Sequence, residues 1–170
     1  YLRRYDTEIE TASIDFRLIG KLSESEITRD YVELDGVRTD VILVDEEPAI
    51  YMCSLSTAGK YKSKSFDNVW IVIYDEFLDL YDRELKQETK IFTNLMQTIF
   101  RDYWKYNALF LANATNLFNC YFLDWEIMPN GRVTKYKDLG IKIVMYRTSD
   151  ELNNERNSSP LAKLVAKTEG

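Results

Sequence analysis

The segment VWIVIYDEF, residues 69–77, decides the fold class of this 170-residue chain. Residues 69–74 form a continuous apolar run, which is typical of a strand buried on both faces of a parallel sheet. Two acids, Asp75 and Glu76, follow directly. Open α/β sheets bind ligands outside the carboxyl ends of their strands. The segment therefore predicts a sheet and also the edge of that sheet where a site would lie.

Strands and helices alternate around this segment. Apolar residues at helical spacing predict an amphipathic helix over about 7–22 and a longer one over about 83–104. We predict a second buried strand at 108–112 and a third strand at 141–146. This alternation indicates an α/β domain with a mostly parallel sheet flanked by helices.

A small antiparallel insert is predicted at about residues 30–57. Its short strand-like runs are residues 31–34, 41–44 and 49–55. Asp35-Gly36, between the first two runs, is a turn signal. We interpret this part of the chain as an antiparallel addition to the α/β domain.

The amino-acid composition excludes several kinds of catalytic and binding site. It has two cysteines and no histidine, which excludes a Cys/His zinc site and histidine-dependent nucleophilic catalysis within it. The net charge of −6 argues against a dedicated nucleic-acid-binding domain, although a protein that binds nucleic acid only transiently needs no more than a local basic patch. No apolar run approaches the ~20 residues of a membrane helix, so no membrane partner is expected.

The acid pair is the strongest candidate for a functional site. In nucleotide hydrolases, an acid at this position holds the Mg²⁺ that bridges the phosphates, and a second acid orients and deprotonates the attacking water. This interpretation assigns Asp75 to the metal and Glu76 to catalysis. The alternative is a solvated acidic turn, because an apolar run followed by Asp-Glu is a short pattern.

Three further features carry residues suited to the same chemistry. Asn113 follows the next predicted strand, where its amide could contact the γ-phosphate or the lytic water, or could serve as a helix cap or turn residue. Arg101 ends the long helix and could reach a neighbouring subunit's site, or could complement the helix dipole. Lys60, Lys62 and Lys64 could follow a phosphate backbone, or could form a solvated loop.

A phosphate loop is missing from the sequence. That motif is Gly-x-x-x-x-Gly-Lys-Ser/Thr, and the only Gly-Lys pair, Gly59-Lys60, lacks the preceding glycine and the hydroxyl residue. The opening Tyr1-Leu2-Arg3 reads as the end of a strand already under way. We therefore expect an internal fragment of a longer protein that binds ATP negligibly and is inactive alone.

These segments, in this order, resemble the DNA encapsidation proteins of small podoviruses, the packaging ATPases. The resemblance spans nearly the whole chain, and residues 94–101 are its most specific part. The matching segments are Tyr1-Leu2-Arg3-Arg4, Cys53-Ser54-Leu55-Ser56, Lys62-Ser63, Asp75-Glu76-Phe77, Asn94-Leu95-Met96-Gln97-Thr98-Ile99-Phe100-Arg101, Leu111-Ala112-Asn113-Ala114 and Asn119-Cys120-Tyr121-Phe122.

The resemblance implies a P-loop NTPase fold of the additional-strand, catalytic-glutamate (ASCE) type. Residues 1–148 would be a partial ATPase domain without its phosphate-loop strand, and 149–170 a polar segment leading toward a missing C-terminal domain. The strand at 69–74 would pair with 108–112 on one side and with the strand ending at Arg3 on the other. The missing strand would lie between 108–112 and 141–146, so these two are not expected to pair directly.

The resemblance also implies roles for the candidate residues. Asp75 would be the magnesium acid and Glu76 the catalytic glutamate, with Asn113 in a coupling motif. Arg101 would be an arginine finger acting in trans within a ring. Arg3 or Arg4 would lie at the nucleotide edge. Lys62, with its neighbouring lysines, would lie on a DNA-facing loop.

The implied function is a motor that uses ATP and Mg²⁺ to move double-stranded DNA into a preformed capsid. Its partners would be identical subunits in a ring, and the capsid portal or a connecting structural RNA. It would act in the host cytoplasm, docked on the capsid. Two alternatives stay open: another ring-forming ATPase, such as a large terminase or a helicase relative, and a non-enzymatic α/β interaction domain.

Overall fold

The computed structural model describes residues 1–5, 25–66, 68–78, 84–101, 107–112 and 119–146. The chain divides into two compact units, Tyr1–Glu126 and Ile127–Gly170. The segment that we assigned to one domain, 1–148, therefore spans both units. The predicted helix at 7–22 and the polar segment at 149–170 lie outside the described residues. No helix in the described ranges combines the length and the apolar character that a membrane crossing needs.

The first unit combines strands of one sheet with helices. Its strands are β1 (Leu2–Arg3), β2 (Ile27–Leu34), β3 (Val37–Val44), β4 (Glu47–Ser54), β5 (Ile71–Asp75) and β6 (Asn107–Leu111). Its helical elements are a 3₁₀ turn (Ala58–Tyr61), α1 (Glu88–Ile99) and α2 (Cys120–Asp124). The unit is thus mixed α/β, as the sequence predicts.

Within the described residues, these strands form one six-stranded sheet in the order β2-β3-β4-β1-β5-β6. β4, β1, β5 and β6 are parallel, whereas β2, β3 and β4 are antiparallel. The predicted neighbours of β5 are confirmed, because β6 pairs on one side and β1 on the other. The antiparallel insert is also confirmed, but it is continuous with the main sheet, since β4 pairs with β3 and then, at Cys53 and Ser54, with β1.

The turn between β2 and β3 follows from its two central residues. Asp35 has φ 48° and Gly36 has φ 81°, both in the left-handed region. Two such residues make the tight hairpin turn that Asp-Gly favours, because glycine has no Cβ and aspartate tolerates this conformation. The turn fixes the strand register, which starts with Leu34 opposite Val37.

β5 and β6 are less buried than the sequence predicts. β5 buries only one face, through Val72 and Tyr74. In β6, Leu109 is 45% exposed and Leu111 is 42% exposed. The predicted burial of the second strand is therefore wrong in the described part of the chain, because β5 is the only strand that pairs with β6 there.

Helix α1 covers the sheet with the face that its apolar spacing predicts. Phe92, Leu95, Met96 and Ile99 are buried. Phe92 stacks on Tyr74 of β5, with ring centroids 5.8 Å apart. Further aromatic rings complete this cluster at centroid distances of 4.9–6.3 Å from Phe92: Phe110, Tyr121 and Trp125. The helix is shorter than predicted, and Tyr103 lies outside the described residues.

The second unit contains a β-hairpin that the sequence analysis missed. Strand β7 (Val133–Tyr136) pairs antiparallel with β8 (Ile141–Val144), so the predicted third strand belongs to a separate two-stranded sheet in the described residues. The physical reason lies in the short turn between them, in which Gly140 has φ 67°. Such a turn pairs each strand with its sequence neighbour at little entropic cost.

Candidate functional site

The acid pair lies at the carboxyl edge of the parallel strands. Asp75 is the last residue of β5, and Glu76 follows with φ 52°, in the left-handed region. The Glu76 N–H donates to Asp75 Oδ1 at 3.0 Å. One residue later, the Phe77 N–H donates to the carbonyl of Leu111, at the end of β6, at 3.2 Å. The chain therefore turns sharply at Glu76 and stays attached to the neighbouring strand end.

Arg3 lies beside both acids because β1 ends at the same edge of the sheet. Its guanidinium forms an ion pair with Asp75, at 3.1 Å between Nη2 and Oδ2, and another with Glu76. Its Nε donates to the Tyr1 hydroxyl at 2.7 Å, and that hydroxyl donates to Asp75 Oδ2 at 2.7 Å. One positive charge therefore faces two carboxylates. Glu76 is the most exposed of the three charged side chains, at 59%.

The protonation of Tyr1 and Arg3 suits this network. Burial and the hydrogen bond to Asp75 raise the pKa of the Tyr1 hydroxyl to about 12, so it remains a donor through the physiological pH range. Burial alone would lower the pKa of Arg3. The hydrogen bond with Tyr1 and the charges of Asp75 and Glu76 outweigh it, and the pKa is raised. The guanidinium is thus a permanent positive charge at the site.

Arg4 does not lie with the acid pair. Its side chain is 2% exposed and pairs with Glu88, the first residue of α1, whose side chain is fully buried. The structure therefore places Arg3, and not Arg4, beside the acid pair, and the assignment of either arginine to the nucleotide stays a prediction. The reason is that successive side chains of an extended chain point to opposite sides.

Arg101 does not lie with the acid pair in the described residues. Arg101 is exposed, two residues beyond the last residue of α1. The described part of the chain shows no ion pair or hydrogen bond between Arg101 and either acid. Asn113 lies outside the described residues.

Lys60 lies in a short 3₁₀ turn, and Lys62 and Lys64 follow it. The 3₁₀ turn Ala58–Tyr61 is anchored by the buried ring of Tyr61, which packs on Phe66 with centroids 5.4 Å apart. Lys60 and Lys62 are exposed, and the Lys60 Nζ lies 5.1 Å from the centre of the Tyr61 ring. Lys64 differs, because its Nζ donates to the Asp35 carbonyl at 2.7 Å. This hydrogen bond links the segment after the 3₁₀ turn to the β2–β3 hairpin.

Sequence reasoning missed Tyr1 and Glu88. Tyr1 carries no signal of its own, since its role depends on the strand order. Glu88 does carry one, because it precedes Phe92 by four residues and so shares the buried face of α1. A lone acid on an apolar helix face requires a cation, and an arginine next to a predicted strand end is a candidate.

The fold and the site define a mixed α/β domain with a largely parallel sheet and a charged site at its carboxyl edge. The chain belongs to the family of podovirus DNA encapsidation proteins (Gp16), whose model matches residues 1–170.

Several curated proteins are similar in sequence. The DNA packaging proteins of Bacillus phages PZA and phi29 are each 28% identical over 173 residues, which is 99% of this chain and 49% of theirs. The DNA packaging protein of Bacillus phage B103 is 27% identical, over 99% of this chain and 51% of its own. The chain spans about half the length of the curated relatives it matches.

Solved structures share the fold. The crystal structure of the N-terminal domain of the DNA packaging ATPase from bacteriophage phi29 matches with a TM-score of 0.72 and 25% identity, covering 88% of this chain and 75% of that one. The phi29 viral genome packaging motor assembly matches with a TM-score of 0.69 and 27% identity, covering 85% and 43%. The Phi-28 gp11 DNA packaging motor shares the fold with a TM-score of 0.70 at 22% identity, covering 98% and 52%.

Proposed function

We propose that the complete protein is the ATPase of a viral genome-packaging motor, which couples ATP hydrolysis to the translocation of double-stranded DNA into a preformed capsid. Family membership and the similarity to phage DNA packaging proteins support the role in packaging. The observation that carries the enzymatic part is the acid pair at the carboxyl end of β5. An acid that can bind a metal and an exposed acid beside it are the two carboxylates that ATP hydrolysis requires.

The donor set fits Mg²⁺. Carboxylate oxygens are its preferred protein ligands, and in phosphate sites it is typically held by one or two carboxylates together with the phosphates. Asp75 would hold the ion, which when bound offsets the negative charge of the phosphates.

Glu76 is suited to orient the attacking water and take its proton. Its side chain is exposed and directly follows the residue assigned to the metal. A positioned general base of this kind contributes roughly 10²–10⁴-fold to a rate. In the structure its carboxylate is paired with Arg3, so that pairing must loosen before Glu76 can act. We propose that Arg3 moves toward the phosphates when nucleotide binds, which breaks its ion pairs with both acids.

The family resemblance assigns roles to further parts of the protein. Because the sequence contains no phosphate loop, we propose that a part of the protein beyond these residues holds the phosphates of ATP in an ASCE-type P-loop NTPase fold. Asn113 would couple the nucleotide to movement, and Arg101 would act on a neighbouring subunit of a ring. The partners are DNA and the capsid portal or a connecting structural RNA, in the host cytoplasm at the capsid.

The test uses the complete protein with its capsids and linear DNA. We expect ATP turnover that requires Mg²⁺, and DNA that becomes resistant to nuclease as it enters the capsid. Chelation of Mg²⁺ should stop both. Absence of ATP turnover would favour the non-enzymatic interaction domain. Turnover without capsid filling, with the portal and any structural RNA supplied, would favour another ring ATPase.

The exposed lysines give a separate prediction about DNA. Lys60→Ala and Lys62→Ala in the complete protein should each weaken DNA binding and reduce the slope of log K against log salt by ~0.9, as expected for one lost phosphate contact. Lys64→Ala should change the slope less, since Lys64 is bonded to Asp35. Lys90→Ala, an exposed lysine on α1, is the charge-matched control. Equal slopes for all four variants and the wild type would show that these lysines do not contact DNA phosphates.

A further inference from the structure

The most enclosed charged group in the described residues is the Arg4–Glu88 pair. Arg4 Nε donates to Glu88 Oε2 at 2.8 Å, and Arg4 Nη2 donates to Oε1 at 3.1 Å, so the contact is bidentate. The same carboxylate accepts the Tyr74 hydroxyl at 2.9 Å and the Leu85 N–H at 2.8 Å. Four hydrogen bonds therefore converge on one fully buried carboxylate.

Stability alone does not explain such a pair. Removing two charges from water is costly, and well-packed apolar residues in place of a buried pair are often neutral or stabilising. The guanidinium nevertheless stays charged. Burial alone would lower the pKa of Arg4, but its hydrogen bond to Glu88 and the nearby charges raise it. The hydrogen bonds that the pair makes with other residues therefore indicate what it does besides stabilising the fold.

Those contacts lie on both sides of Glu76. Before it, the Tyr74 hydroxyl is bonded to Glu88. After it, Arg4 Nη2 donates to the carbonyl of Phe77 at 2.6 Å. Glu76 itself has φ 52°, a conformation that is strained for a residue with a side chain and persists only where the surrounding structure imposes it. The buried pair supplies such a constraint.

We propose that the Arg4–Glu88 pair is a positioning unit for Glu76. It fixes the backbone at Tyr74 and Phe77, and thereby holds the Glu76 carboxylate in one orientation at the edge of the sheet. This inference rests on the proposed function, in which Glu76 is the general base. In this proposal Arg4 and Glu88 do not contact the reactants, and both act through Glu76.

The decisive variant replaces both charges at once. Arg4→Met combined with Glu88→Leu leaves no unpaired buried charge, so the fold should survive. It removes the contacts to Phe77 and Tyr74, and a small misplacement of a catalytic group can cost about 10²-fold in rate. We expect kcat for ATP in the complete protein to fall about 10–100-fold. The affinity for ATP should stay close to the wild-type value.

Arg4→Lys is the second variant. It keeps the buried positive charge, but a lysine cannot contact both Glu88 oxygens and the Phe77 carbonyl in the fixed geometry of a guanidinium. It should also lower kcat with little change in ATP affinity, and it decides the question if the double substitution does not fold. Met96→Ala, a cavity in the buried face of α1, is the control for general destabilisation. Its kcat should remain near the wild-type value below its unfolding temperature.

A double-mutant cycle separates positioning from structure. If the pair acts through Glu76, adding Arg4→Met and Glu88→Leu to Glu76→Gln should cause no further loss of residual hydrolysis. Additive losses would overturn the positioning role, as would a wild-type kcat in the stable double variant. If Glu76→Gln itself hydrolyses ATP normally, Glu76 is not the general base, and both the proposed function and this inference are wrong. The single variant Glu76→Gln thus tells the two failures apart.

Discussion

Replacing Glu76 by glutamine in the complete protein is expected to abolish ATP turnover while ATP binding is retained. Glutamine keeps the size and a hydrogen-bonding oxygen but cannot accept a proton at neutral pH. Losing a positioned base should lower kcat roughly 10²–10⁴-fold. The ion pair with Arg3 is also lost, but a pair with one partner this exposed contributes little to stability. Steady-state kinetics and equilibrium binding of ATP together measure the two expectations.

A matched control is available in the same chain. Glu126 is exposed and has φ 53°, nearly the same φ as Glu76. Glu126→Gln therefore makes the same chemical change at a residue of similar φ, away from the end of β5. Its kcat should stay within about twofold of the wild-type value, as for most exposed substitutions. A Glu76→Gln protein with near-normal kcat would refute the assignment of Glu76 as the base.

The elements that the sequence predicted correctly carry their signal locally. The run at 69–74 predicts β5, and the two acids follow it at the carboxyl edge of the sheet. Asp35-Gly36 predicts the hairpin because two adjacent residues suffice to define a tight turn. The buried face of α1 follows from helical spacing alone. In each case the residues that determine the element lie close together in the sequence.

The features that were missed depend on tertiary pairing. Arg3 and Arg4 are neighbours of the same type, and only the direction of the extended chain decides which one meets the acids. The exposure of β6 depends on which strands pair beside it, which its own apolar residues do not encode. The β7–β8 hairpin was missed because a four-residue strand with two polar residues, Val133–Tyr136, resembles a loop.

Arg101 is expected to act on a neighbouring subunit rather than on its own acid pair. It is exposed just beyond the end of α1, and no contact joins it to Asp75 or Glu76 in the described part of the chain. An arginine supplied from a neighbour to the transition state contributes about 10³–10⁵-fold to kcat. Arg101→Ala in the complete protein should therefore lose ATP turnover by that order while still binding ATP and assembling.

Mixed rings test the trans role directly. An Arg101→Ala subunit keeps a functional Glu76, and a Glu76→Gln subunit keeps Arg101. Where the second subunit presents its arginine to the site of the first, that site has both groups, so ATP turnover should reappear on mixing and be greatest near equal amounts. Arg132→Ala, an exposed arginine in the second unit, is the charge-matched control and should be active without mixing. If no ratio of the two inactive proteins restores turnover, with mixed assembly verified, Arg101 does not act between subunits, because a shared site cannot stay inactive when each neighbour supplies what the other lacks.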